Sequence, residues 1–256
     1  MNPKIIHPDK SIALFVKEIL VFESTDEYRC NLPFYADGYP GLLFQRSKGD
    51  FLISPHNKKM PHIFLYGQTI TPITINVAGP FQIIVFKFYP FVLRAAWDIH
   101  PESINDSCYY LEATPHTDIR QLITELSSST NCHNNIRVLS AFLLNLFNTK
   151  KDHLDFSIKQ AILNIIENNG QVAIGEIAKE ARLNIRTFER RFLKETGLTA
   201  KQFAKIVQFQ TSLKQLTSKD FHRLTDIVYE NGFSDQSHFI RVFKAFTGST
   251  PASFNK

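Results

Sequence analysis

Arg186 and Arg190 stand four residues apart, and two guanidinium groups one helical turn from each other can each meet the paired O6 and N7 acceptors of a guanine edge. Arg191 and Lys194, just beyond, suit phosphate oxygens, and Thr187 completes the set. A second set follows at Gln236, Ser237, His238, Arg241 and Lys244. Gln236 carries the donor and acceptor that pair with adenine N6 and N7. Ser237 and His238 can reach base edges or phosphates, and Arg241 steers toward the backbone. Each of these side chains would serve equally well as solvated surface if it stood alone. What sets them apart is that they recur in two similar frames.

The frames are an internal duplication within residues 177–254. Ile177-Ala178, Leu183-Asn184, Phe188 and Phe192, Gly197 and Phe203 return as Ile227-Val228, Phe233-Ser234, Phe239 and Phe243, Gly248 and Phe254. The offset is 50 at the opening and 51 from the Phe-x-Arg-x-Phe onward, so one residue is added near the second turn. In each copy a short apolar segment leads to a capping residue, Asn184 or Ser234, and then to a helix with apolar residues at i and i+4. Phe188 with Phe192, and Phe239 with Phe243, share an inward face; Arg186 with Arg190, and Ser237 with Arg241, share an outward one. This is how a helix-turn-helix reads, with its second helix destined for the major groove.

The residues Asp226-Ile227-Val228-Tyr229-Glu230-Asn231-Gly232-Phe233-Ser234-Asp235-Gln236-Ser237-His238-Phe239-Ile240-Arg241-Val242-Phe243-Lys244, followed by Gly248-Ser249-Thr250-Pro251, carry a resemblance. With the preceding copy, the segment 158–256 resembles the DNA-binding domain of the AraC/XylS family of bacterial transcription regulators. Val228, Arg182, Gln208 and Ala200 depart from the residues usual in that family, and Arg182 stands where the first turn usually has Gly. The resemblance implies double-stranded DNA as partner, a small-molecule effector or homodimerisation at the N-terminal end, and RNA polymerase as a further partner.

Charge is divided in the same way. Residues 171–256 hold 14 Lys and Arg against 8 Asp and Glu, a net +6, whereas residues 1–170 hold 15 against 16, a net −1. The basic excess therefore lies in the duplicated part, where phosphates would be met. Cys30, Cys108 and Cys132 are odd in number and widely spaced, which reads as reduced thiols in a cytosolic protein. The stretch 12–22 is interrupted by Lys17 and Glu18, so no leader is read there, and no run approaches the ~20 apolar residues of a membrane helix. His56, His62 and Asp37 lie in Pro- and Gly-marked loops without a converging ligand set, so neither metal nor cofactor is expected.

The expected fold class is α+β. Apolar and β-branched runs at 42–45, 51–53, 63–66, 73–77 and 81–88, with turn signals at Asp37-Gly38 and Lys48-Gly49-Asp50, predict a β-sandwich or small barrel. Helices are predicted at 91–97, 118–126 and 135–147, serving either to dimerise the chain or to cap the open face of the sheet. A sensing or dimerising domain is assigned to 1–148, a linker to 149–156 and the double helix-turn-helix domain to 157–256. Within the last, a helix from 157 toward Gly170 buttresses the first unit, and a long helix at 201–216 joins the two. The functional expectation is a one-component, sequence-specific transcription factor that is not an enzyme. The alternative is a DNA-repair or other enzyme carrying the same DNA-binding module. A DNA-repair methyltransferase or glycosylase asks for a reactive Cys in a Pro-Cys-His setting, which Cys30, Cys108 and Cys132 lack, or for a helix-hairpin-helix with a catalytic Asp. An enzymatic N-terminal domain of sugar-binding or cupin type asks for a His-rich metal constellation, which the two loop histidines do not provide.

Overall fold

Residue 81 to residue 88 reads almost without a polar break, the pattern of a strand buried on both faces. In the computed structural model, which describes residues 1–111, 117–150 and 154–254, this segment is β9 (Phe81–Phe88), near the centre of a six-stranded antiparallel sheet. Its neighbours are β1 (Lys4–Ile6), β2 (Val16–Ser24), β4 (Gly41–Ser47), β7 (Ile63–Tyr66) and β10 (Cys108–Tyr110), in the order β1-β2-β9-β4-β7-β10. A second sheet orders β3 (Arg29–Phe34), β8 (Ile73–Ala78), β5 (Phe51–Ser54) and β6 (Lys58–Lys59) as β3-β8-β5-β6. One face of β9, with Ile83 and Val85, joins Leu43 and Phe64 against Phe51, Ile75 and Val77 of the smaller sheet. The fold is thus a sandwich, and the runs expected as strands are present as β4, β5, β7, β8 and β9; β1, β2, β3, β6 and β10 are additions.

The other face of the large sheet, with Leu42, Phe44, Ile84 and Phe86, is covered by helices α1 (Val92–Trp97), α2 (Thr117–Ser128) and α3 (Cys132–Lys150). Phe147 of α3 stacks on Phe15 at 4.2 Å and meets Phe88 edge-on at 6.1 Å. Asn135 donates to Gln82 Oε1 at 2.9 Å, and Arg46 donates to the carbonyl of Leu126. Of the two roles open to these helices, capping the sheet is the one visible within the chain. Helix α3 runs to Lys150, into the expected linker, with Thr149 Oγ1 donating to the carbonyl of Leu146; backbone hydrogen bonding continues a helix without apolar periodicity. Part of that linker, 151–153, lies outside the described residues.

The remaining chain is helical: α4 (Phe156–Glu167), α5 (Ile174–Glu180), α6 (Ile185–Thr196), α7 (Ala200–Ser218), α8 (Leu224–Glu230), α9 (Gln236–Thr247) and α10 (Pro251–Phe254). Helices α5 and α6 form the first helix-turn-helix and α8 and α9 the second, with α7 between them. One apolar cluster passes from Phe86 and Phe88 through Phe147, Leu154 and Ile158 to Phe188, Phe192 and Phe203. The β-sandwich and the helical part therefore share a core.

The turn of the first unit carries a conformational cost. Arg182 has φ 55°, and its counterpart in the second copy, Gly232, has φ 71°. A side chain is disfavoured at such angles by roughly 1–2 kcal/mol, against which glycine's greater freedom in the unfolded chain must be set. Arg182→Gly is expected to raise the stability of the full chain by about 0.5–1 kcal/mol, read as a higher urea midpoint at unchanged slope.

Candidate nucleic-acid interface

Helix α6 starts at Asn184, whose side chain accepts from the backbone N–H of Thr187 at 2.9 Å, and ends at Gly197 in the left-handed region. Phe188 and Phe192 are buried, leaving Arg186, Arg190 and Lys194 exposed at successive i,i+4 positions along one stripe. Thr187 is half-buried beside them. Arg191 is turned aside. Its Nε and Nη2 donate to the two carboxylate oxygens of Asp155 at 2.8 and 2.6 Å, a bidentate fork that leaves it off the exposed stripe. Asp155 is also the N-cap of α4, accepting from Ile158 N–H at 3.2 Å.

Helix α9 repeats the arrangement with one correction. Its cap is Asp235, not Ser234: the Asp235 carboxylate accepts from His238 N–H at 2.7 Å. The residue added in the second turn shifts the cap by one, so Asp235 stands 51 residues after Asn184. That same backbone hydrogen bond holds the Asp235 carboxyl below its ordinary range. Gln236, Ser237, Arg241 and Lys244 are exposed, with Ser237, Arg241 and Lys244 along one stripe. His238 is half-buried; its Nδ1 lies 3.2 Å from Ser234 Oγ and its ring packs against Phe233. It helps to staple the turn.

Both helices close in the same way. Thr196 Oγ1 lies within hydrogen-bond distance of the Phe192 and Leu198 carbonyls and accepts from Leu198 N–H, and Thr247 Oγ1 does the same with the Phe243 and Ser249 carbonyls and Ser249 N–H. Helix α7, capped by Thr199 and Gln202 in a reciprocal box, spans 19 residues, about 28 Å. Its Phe203 packs on Phe192 and its Phe209 on Phe243 and Phe246, so both units are fixed to one rod.

Sequence reasoning passed over two residues. Ile185, at the first position of α6 and equivalent to Gln236, is 51% exposed beside Arg186. Only the duplication register could have marked an isoleucine there as outward. Asp155 falls in the expected linker, and its double role depends on Arg191 being near in space.

The two units differ in what surrounds them. Gly197, at the end of α6, packs against the 3-10 turn Pro101–Ile104: a Cβ there would lie 2.8 Å from Glu102 N, and Asn105 Nδ2 donates to the Gly197 carbonyl at 2.7 Å. Gly248, its counterpart in α9, has nothing within 4 Å of the corresponding point. Both have φ 76°. Gly197→Ala is therefore expected to destabilise the full chain by roughly 1–3 kcal/mol more than Gly248→Ala, since only the first adds overpacking to the backbone strain. Parallel thermal unfolding of the two variants measures the difference. Glu195, close by on the last turn of α6, is buried in the same region; burial, with Asp155 nearby, pushes its carboxyl above the usual value.

Comparison with known proteins divides the chain in the same way. Residues 177–256 match a family described as a helix-turn-helix domain, and residues 4–109 a domain of unknown function, DUF6597. The chain is 27% identical over 183 residues to a protein of Photobacterium leiognathi described as probable transcriptional regulator LumQ, covering 68% of this chain and 71% of that one. It is 26% identical over 120 residues to the HTH-type transcriptional activator RhaS of Pectobacterium atrosepticum, covering 46% and 43% of the two. That match to RhaS thus spans less than half of its length. The crystal structure of ToxT from Vibrio cholerae O395 aligns with 93% of this chain and 96% of its own, at 14% identity and a TM-score of 0.46.

Proposed function

Because this chain belongs to the AraC/XylS-type transcription regulators through its double helix-turn-helix domain, we propose that it reads two successive major-groove segments of one DNA duplex under the control of its N-terminal sandwich. The observation that carries this is the pair of equivalent exposed stripes, Arg186, Arg190 and Lys194 on α6 and Ser237, Arg241 and Lys244 on α9, held on the common helix α7. Arg186 and Arg190 read guanine, Gln236 reads adenine, and the apolar Ile185 meets a thymine methyl group. Lys194, Arg241 and Lys244 hold phosphates, while Thr187, Ser237 and His238 line the approach. Arg191 takes phosphate only if its pairing with Asp155 opens.

In this reading, 1–148 senses, 149–156 links and 157–256 binds DNA in the cytoplasm. An effector cavity is available between the two sheets, with a volume of about 70 Å³ and largely apolar walls. A nucleophilic role for Cys108 or Cys132 is disfavoured: burial pushes both thiols up to about 11, so each is a poor nucleophile at neutral pH. Homodimerisation and contact with RNA polymerase belong to the same proposal.

The test is selection of full-length protein on a randomised duplex pool at low salt. Enrichment of a defined site, with affinity falling steeply as salt rises, is expected. A folded protein that enriches nothing would refute the reading.

A further inference from the structure

A row of residues crosses the large sheet at the end nearest the DNA-binding domain. Register places Glu18 of β2 opposite Lys87 of β9, Lys87 opposite Gly41 of β4, Gly41 opposite Tyr66 of β7, and Tyr66 opposite Cys108 of β10. Lys87 Nζ pairs with Glu18 at 3.0 Å and with Asp37 at 2.8 Å, and its side chain is only 15% exposed. It also lies 5.5 Å from the Tyr39 ring centroid. Burial opposes its charge, but Asp37 and Glu18 outweigh burial and hold the ammonium above its ordinary value. Gly41 leaves the middle of the row open, and the Tyr66 ring fills it: a Cβ on Gly41 would lie 2.5 Å from the Tyr66 hydroxyl.

Each end of this row leads somewhere. Tyr66 is a wall of the cavity between the sheets, with Leu43, Phe64, Ile75 and Val85, and Thr69, Asp106 and Ser107 supply polar groups among its lining residues. Asp37 begins the turn 37–39, accepting from Tyr39 N–H at 2.9 Å, and residues 36–38 touch α7. Gly38 packs on Phe203 and Ile206, and the Ala36 carbonyl accepts from Gln210. Those three side chains belong to the helix that joins the two reading units, on the side that meets the sandwich.

We propose that the cavity takes a compact apolar molecule bearing one hydrogen-bonding group, and that its occupancy is relayed through Tyr66, Lys87 and Asp37 to α7. The inference rests on the regulatory reading above. A cavity of about 70 Å³ holds only a few atoms, so an occupant of useful size displaces a wall. Tyr66 is the wall with a charged cluster behind it, where movement changes the pairing of Lys87 and therefore the seat of the 37–39 turn. Two mutually dependent ion pairs around a mostly buried lysine respond sharply when one partner is lost.

The experiment uses the full chain and its selected duplex. Ile75→Phe places extra bulk in the cavity as a fixed occupant, phenol serves as a soluble probe on the unmodified protein, and Asp37→Asn breaks the relay. Readouts are DNA affinity and hydrogen exchange of residues 35–41 and 200–210. Filling the cavity by either route is expected to change exchange in both segments and DNA affinity by about 10-fold, and Asp37→Asn should reduce that response below about 2-fold. An unchanged exchange pattern with both fillers, or an equal response with and without Asp37, would overturn the relay. Should the chain bind no duplex at all, the regulatory reading fails, while exchange still decides the relay.

Discussion

Phe209→Ala is expected to destabilise the helical domain by about 3–5 kcal/mol, enough to remove much of the roughly 5–15 kcal/mol available to an ordinary domain. Phe209 is fully buried in the middle of α7 and meets Phe243 at 5.7 Å and Phe246 at 5.0 Å, so its ring is the floor on which α9 rests. Loss of the ring leaves a cavity between the rod and the second reading helix. The first unit, packed instead through Phe192 and Phe203, should survive longer. Urea unfolding followed by hydrogen exchange would show the second unit exchanging early. Uniform exchange across 177–254, with stability lowered by less than about 1 kcal/mol, would mean that the two units are not joined through this contact.

The second large effect concerns reading rather than folding. Arg186→Ala is expected to cost about 1–3 kcal/mol at one preferred base pair and to relax selection there, because a bidentate guanine contact is lost. Gln236 carries no charge, so Gln236→Ala should alter the preferred site with little change in salt dependence. Arg241→Ala should weaken all sequences almost equally and lower the salt slope by about one unit. Repeating the selection with each variant separates these outcomes. If Gln236→Ala left the preferred site intact and Arg241→Ala rewrote it, the division into base readers and phosphate holders would be wrong.

The duplicated domain was legible because its signals are local and repeated. Phe188, Phe192, Phe239 and Phe243 fall inward and Arg186, Arg190, Ser237 and Arg241 outward, as their spacing requires. The cap lies at Asp235, one residue beyond the expected Ser234, because both are good capping residues and only geometry tells which side chain reaches His238 N–H. In the sandwich, β1 and β10 are three residues each, too short for alternation to register, and β3 contains Pro33. The shared core and the pairings Arg191–Asp155, Asn105–Gly197 and Lys87–Asp37 join residues far apart in sequence, and no local pattern announces them. Arg191 is the clearest case, since its residue type suits phosphate while its place on the helix turns it toward Asp155.

One rigid protein should read two groove segments at once, since both reading helices are packed on α7. Hydroxyl-radical footprinting of the full chain on its selected duplex tests this most directly, together with the same duplex lengthened by half a helical turn, about 5 base pairs, between the two protected segments. Two protected patches on one face of the duplex, about 34 Å apart, and loss of one patch with a large fall in affinity after the insertion, are the expected results. A single patch on the original duplex, or affinity indifferent to the insertion, would contradict the account.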